Sequence, residues 1–399
     1  MEMPRPIQRL DVLFVVQGEG RGHMTQALAL AQMLRGRGHR VAGAVVGASE
    51  RREVPGFFRD GLAARIHRVA SPNFAAGDDG RIRLGRTVLR ALGQWGRYAE
   101  AVGAIADVVE AAEPDVIVNF YEGLMGVYAA TRTPDVPVVA VGHQFMFDHP
   151  AYPFAPGPRG QRLAMRSYTR LVGTGATARL ALSFYDADLP GADARVVPPL
   201  LRSSLFRLFD RPSDGSLLVY LMEPSRARAL AAWSDRHPGV RVHCFSDVAP
   251  HAHSPALTFH ALHGRRFLER MAVARGVVCT AGFESVSEAM WLGTPALMVP
   301  TPGHYEQRCN AIDAAAAGAG LAAESLDLDA FLDHLDHAPP PDPDAFRTWV
   351  AQAEGRVLGA IEAAAGVSPP IGGDGLTRPV ELAVETPRER ALRADRAAG

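Results

Sequence analysis

The chain has 399 residues, 47% of them hydrophobic, more apolar material than a disordered chain carries and more than one ordinary core holds, so two domains are expected. Its 42 basic and 43 acidic residues leave a formal charge of -1, which gives no basic footprint for nucleic acid. Every basic residue apart from histidine is arginine, so no lysine nucleophile is available, and Cys244, Cys279 and Cys309 are too scattered for a disulfide framework or a paired-ligand metal site.

The residues before Asp11 contain no apolar stretch of signal length. No later run reaches the roughly 18 residues of a spanning helix, so a cytoplasmic setting is expected. From Asp11 onward, short β-branched runs alternate with longer amphipathic segments, the rhythm of a parallel sheet wrapped by helices. The first strand, residues 12–16, runs into Gln17-Gly18-Glu19-Gly20-Arg21-Gly22-His23, and a helix to about residue 36 follows. A glycine turn into a helix start points backbone amides at the sheet edge and favours anions. A dinucleotide fingerprint fails here, because its third glycine would fall on His23 and the next strand, 41–46, ends without an acidic residue for a ribose. His23 has two readings: a base for a hydroxyl proton, or a histidine bonding its own turn.

Residues 81–112 read as one long helix or two. Arg81, Arg83, Arg86, Arg90 and Arg97 are interleaved there with Leu84, Leu89, Leu92 and Trp95, giving either a solvated domain helix or a basic face for an anionic membrane and a lipid acceptor. Strand 115–118 leads to Glu122 and strand 136–141 to His143 and Gln144. Each is a cleft-edge candidate with a bland alternative, a helix-start glutamate and a loop pair. Asp186-Ala187-Asp188, after strand 180–184, reads as a turn. A proline-marked segment, 196–201, closes the first half.

The alternation restarts with strand 217–221, a helix to about residue 233, strand 240–245, a helix over 264–274, and strands 277–279 and 296–299. The richest stretch lies here: Thr280-Ala281-Gly282-Phe283-Glu284-Ser285-Val286-Ser287-Glu288, then Gly293-Thr294-Pro295, then Tyr305-Glu306-Gln307-Arg308-Cys309-Asn310 opening another helix. It makes a strand, glycine turn, helix and strand whose helix start aims at a ligand. Ser285-x-x-Glu288 is also a capping-box pattern, in which the carboxylate only closes the helix start. A last helix is expected over 343–365, and a Gly, Pro and charge rich tail from Ser368.

The A-G-x-x-S-x-x-E turn, the G-x-P strand entry and the Q-x-x-N-A helix start resemble the inverting, GT-B type glycosyltransferases. The likeness includes the lipid-linked N-acetylglucosaminyltransferase of peptidoglycan synthesis and the UDP-glycosyltransferases, whose N-terminal glycine loop is matched at Gly18, Gly22 and His23, while the form G-E-G-R-G-H with E-Q-x-x-N-A looks closer to a less characterised bacterial and archaeal branch of the same enzymes. The resemblance implies an α/β fold of two Rossmann-like, doubly wound domains facing a cleft. Residues 1–200 would form the acceptor-side domain, 201–342 the donor domain, 343–366 a helix crossing back, and 367–399 a tail. It implies that Gly282, Phe283 and Ser285 meet the diphosphate of a nucleotide sugar, most simply a UDP-sugar, that Glu288 holds the ribose, and that Glu306 and Gln307 read the transferred sugar. His23 would be the base, with Glu122 orienting it, and Gly18, Gly20, Gly22, His143 and Gln144 would line the acceptor side. No cofactor or metal is implied, and the acceptor is left open between a small molecule and a lipid-linked one, with contact at the inner membrane face in the second case. A departure at Met222-Glu223-Pro224-Ser225-Arg226 leaves only Arg226 as a phosphate candidate in that loop. A nucleotide-sugar 2-epimerase and a non-catalytic nucleotide-sugar binder are the alternatives within the same fold.

Overall fold

The structure, a computed structural model, describes residues 8–49, 53–71, 95–189, 191–220, 224–246, 254–338 and 341–367. The expected arginine stretch over 81–94 and the tail from 368 lie outside the described residues. In the first half, β1 (Asp11–Gln17), α1 (Arg21–Arg37), β2 (Arg40–Ala48), α2 (Gly56–Leu62) and β3 (Arg65–Ala70) come first. They are followed by α3 (Trp95–Ala112), β4 (Val116–Phe120), α4 (Gly123–Arg132), β5 (Val138–Gly142), α5 (Arg159–Val172), β6 (Ala178–Leu182) and β7 (Arg195–Val197). The second half begins with β8 (Leu217–Tyr220), α6 (Pro224–Arg236), β9 (Val242–Phe245), β10 (Leu257–His260), α7 (Gly264–Met271) and β11 (Gly276–Cys279). It continues with α8 (Phe283–Leu292), β12 (Ala296–Met298), α9 (Tyr305–Ala316), β13 (Gly320–Ala322), α10 (Leu328–His337), α11 (Pro343–Val350) and α12 (Ala353–Ala364).

Two parallel sheets result, in the order β3-β2-β1-β4-β5-β6-β7 and β10-β9-β8-β11-β12-β13. Helices cover both faces, so the strands are apolar on both sides. In β1, Val12, Phe14 and Val16 enter one core cluster while Leu13 and Val15 enter another. Each sheet runs outward from its first strand, turns back past it and continues, the doubly wound pattern of a two-domain, Rossmann-like GT-B fold. The crevice for a ligand in such a sheet opens at the carboxyl ends of the two strands flanking the reversal. Those strands are β1 and β4 in the first sheet and β8 and β11 in the second. The glycine loop at 18–22 and the turn at 280–282 leave from two of these four ends.

The last segment returns to the first sheet. Trp349 Nε1 donates to the Ser183 carbonyl at 2.9 Å, Arg356 Nη2 pairs with Asp186 at 2.7 Å, and Glu362 meets His39 Nε2 at 3.2 Å in a buried contact. The single helix expected over 343–365 is two helices. The amide of Gln352 bonds the carbonyl of Trp349, three residues back, and this tight turn separates α11 from α12. Asp186 and Asp188 hold the turn expected of them: Asp186 Oδ1 accepts from the Asp188 amide and Asp188 Oδ1 from the Val196 amide.

Candidate functional site

The two switch points face each other. Gly20 is the N-cap of α1 and Gly282 the N-cap of α8, and a Cβ built on either would touch nothing within 4 Å, so both turns open onto free space. A Cβ on Gly22 would lie 3.7 Å from the Glu284 Cβ, which brings the first turns of α1 and α8 together across the domain boundary. Gly18 is a glycine for a different reason. Its amide donates to the Gly47 carbonyl at 2.7 Å, and an added Cβ would press on that same oxygen.

His23 lies in the first turn of α1, its ring stacked on Tyr121 with centroids 6.0 Å apart and planes 16° from parallel. Its Nδ1 is buried with no hydrogen-bond partner among the described residues. Burial pushes its pKa down to about 4 against the opposing pull of Gln26, so the ring is neutral and able to accept a proton at physiological pH. The shelf beneath it is built by strain and aromatics. Tyr121 adopts φ +58 directly after β4, held by edge-on contacts to Phe145 and Tyr168 and by a 2.6 Å hydrogen bond between its hydroxyl and Thr169. Ala281, past the end of β11, has φ +60. A bulky residue in the left-handed region costs about 1 kcal/mol or more and persists where its surroundings impose it.

Glu122 does not orient His23. It is the buried N-cap of α4, and its Oε1 accepts from the Leu124 amide at 3.1 Å and the Ser71 hydroxyl at 2.7 Å, while Oε2 packs where a side chain on Gly47 would otherwise sit. Burial raises its pKa to about 7, partly opposed by the Ser71 and Leu124 bonds. The folded state therefore keeps a proton that the unfolded chain loses near 4.5, and stability declines as pH rises from there through about 7. Glu122→Gln keeps the acceptor oxygen and removes the charge. Its unfolding free energy from urea titration should match the wild type near pH 4.5 and exceed it at pH 8, by up to roughly 3 kcal/mol; a wild-type pH profile retained by the variant would sink this reading.

His143 and Gln144 are buried in the domain interface and present no open acceptor face. The His143 Nδ1 bonds the Leu182 carbonyl at 2.7 Å, and its ring stacks on Phe283 at 4.2 Å. Its Nε2 stands 3.7 Å from Asp313, whose other oxygen accepts from the Tyr185 hydroxyl at 2.7 Å. Burial lowers His143 to about 4 and raises Asp313 to about 6. Gln144 Nε2 donates across the boundary to Glu306 at 2.9 Å, and Gln307 Oε1 accepts the Thr301 amide at 2.8 Å. Both residues expected to read a sugar are thus held by neighbours.

Glu288 is buried and is not a helix cap. α8 begins at Phe283, so Ser285 is its third residue rather than its cap, and the capping-box reading fails on register. The Glu288 Oε1 instead accepts from Arg202 Nε at 2.7 Å and also from Nη2 of the same guanidinium. Arg226, the phosphate candidate of the β8 loop, bonds the carbonyls of Val299 and Pro300 at 3.0 and 2.9 Å. Sequence reasoning missed Arg202, Tyr121, Gln26 and Glu284. Arg202 follows a proline-rich linker with no motif, but the other three adjoin motif residues and were within reach of inspection. Among the described residues no group of three or more His, Cys, Asp or Glu side chains is placed to hold a metal ion, and no helix is long and apolar enough to cross a membrane.

The sequence model of a family described as Glycosyl transferase family 1 matches residues 10–339. A Rhodococcus opacus protein, UDP-N-acetylglucosamine--N-acetylmuramyl-(pentapeptide) pyrophosphoryl-undecaprenol N-acetylglucosamine transferase, is 31% identical over 268 residues, covering 59% of this chain. The chain spans 65% of the length of that relative. An uncharacterized glycosyltransferase of Methanosarcina acetivorans is 25% identical over 78% of this chain and 83% of its own. Among solved structures, the calicheamicin glycosyltransferase superposes with a TM-score of 0.57 at 18% identity, covering 91% of this chain and 100% of its own. The MurG structure of Acinetobacter baumannii gives 0.52 at 16%, covering 88% and 99%.

Proposed function

The chain belongs to glycosyl transferase family 1, and from that premise we propose that it moves a sugar, with inversion at the anomeric carbon, from a nucleotide diphosphate sugar to an acceptor hydroxyl. The observation that supports the reading is the approach of the α1 and α8 helix starts, which brings the turn that carries a neutral His23 with an unpartnered Nδ1 against the first turn of α8, next to the open Gly282. In the proposed reaction the diphosphate lies on the amides of Gly282 and Phe283 with the Ser285 hydroxyl, and the helix start supplies the positive field for the leaving group without a resident metal or cofactor. His23 removes the acceptor proton as the hydroxyl attacks. Glu288 reads the ribose through the oxygen not given to Arg202, and Glu306 with Gln307 borders the sugar, the first fixed by Gln144 from the other domain.

The donor in this proposal is a UDP-sugar, in line with the UDP-N-acetylglucosamine in the name of the Rhodococcus relative. That relative's acceptor is an undecaprenol-linked muramyl compound, and the same proposal puts this protein at the cytoplasmic face of a membrane with a lipid-linked acceptor. A panel of UDP-, GDP- and dTDP-sugars tests it. The true donor raises the melting temperature by mass action. Product analysis by mass spectrometry and NMR then separates transferred sugar of inverted configuration from isomerised or intact donor, and either of the last two outcomes defeats the proposal.

A further inference from the structure

Glu284 lies in the first turn of α8, 8% exposed, and neither of its carboxyl oxygens has a hydrogen-bond partner among the described residues. Two buried carboxylates, Glu284 and Glu288, sit one turn apart on this helix, while the guanidinium of Arg202 is committed to Glu288. From the other domain, α1 presents Gly22, the neutral His23, and Gln26, which faces Glu284 and whose own Oε1 is buried and unpartnered.

We propose that Glu284 carries a proton to the donor site: the carboxyl donates its O–H to the donor diphosphate, so that donor and one proton bind together. This rests on the donor reading given above and adds to it the protonation state in which the site accepts a diphosphate. An α8 start that attracts an anion cannot hold an ionised Glu284 and a diphosphate side by side with one arginine already engaged, whereas a neutral acid turns the same side chain from a repelling group into a hydrogen-bond donor. Burial first, and then the Glu288 charge, push Glu284 well above the usual carboxylate range, with Arg202 and the side-chain amide of Gln26 pulling the other way. Of the titratable groups around it, Arg202 stays charged, and His23, next to Gly22 on α1, is held down near 4. Glu288 is raised by burial but held by Arg202, which leaves Glu284 to take the proton.

The linkage has a definite sign. The diphosphate raises the Glu284 pKa above its donor-free value, so affinity is full below that value and is lost as pH rises through the interval between the two. The limiting slope is about tenfold per pH unit for one linked proton. The probe is UDP-N-acetylglucosamine, whose diphosphate does not titrate in this range, measured by calorimetry from pH 6 to pH 9 in buffers of contrasting ionisation enthalpy. Wild-type protein should take up close to one proton on binding in the pH interval where affinity falls, and Glu284→Gln should bind with no pH dependence and no uptake. The wild-type buffer series decides the matter even where the variant does not fold. Binding with a flat profile and no proton uptake overturns the role of Glu284 and leaves the donor site standing; no binding at any pH overturns the UDP-sugar reading itself, and this proposal with it.

Discussion

His23→Ala is expected to lower the turnover of sugar transfer by about 10² to 10⁴ while changing donor affinity little, since a positioned base contributes on that scale and the donor turn belongs to the other domain. The first part follows from the chemistry: a hydroxyl attacking an anomeric carbon must shed its proton as the bond forms. The second follows from the fold, because α1 is capped by Gly20, and the loop before it is fixed by the Gly18 to Gly47 bond without help from the imidazole. With the ring's pKa near 4, the acid limb of kcat/KM should fall below pH 5, well under the 6.5 of an ordinary histidine. Glu122→Gln should leave that limb in place, because Glu122 bonds Ser71 and Leu124 rather than the imidazole. Normal transfer by His23→Ala would exclude this residue as the base, and His143, buried under Phe283 and bonded to Leu182, offers no replacement.

How far the sequence could be read depends on which interactions are local. The central strands were legible because burial on both faces demands unbroken apolar runs, as at Val12 to Val16 and Val277 to Cys279. Short edge elements such as β13, of three residues, carry too little pattern to be seen, and the break between α11 and α12 carries no glycine or proline to announce it. Within the site, the two helix starts beside His23 and at Gly282 were visible because glycine turns and helix starts are local chemistry. The roles of Glu122, His143 and Gln144 were not, because each is decided by a partner far along the chain: Ser71, Phe283 and Glu306. Ser285-x-x-Glu288 shows the limit most clearly. Helix start and ribose reader share one pattern, and a shift of the helix start by three residues, to a cap at Gly282, separates them.

That separation leaves Glu288 with two duties, a structural ion pair with Arg202 and the proposed contact to ribose, and the largest stability effect expected in this protein comes from splitting them. Arg202→Ala strips the partner from a carboxylate that is 1% exposed and should destabilise the fold by about 3 to 5 kcal/mol, the usual cost of a buried charge left alone. Without the guanidinium, the folded pKa of Glu288 moves further above its ordinary value of 4.5, so the penalty should be small near that pH and grow as pH rises toward 8. Removing both charges in Arg202→Met with Glu288→Gln leaves no orphan ion, and stability should return to within about 1 kcal/mol of wild type, since a buried pair contributes little over neutral side chains of similar volume. Denaturant midpoints at pH 5 and pH 8 for the two single variants and the double give the coupling directly. The double variant, stable but without its carboxylate, then reports on ribose. UDP-sugar affinity should fall by about 1 to 3 kcal/mol, the value of hydrogen bonds to a charged acceptor. If the double variant folds as well as wild type and binds donor as tightly, Glu288 serves only to hold Arg202 against α8, and the ribose must be read elsewhere.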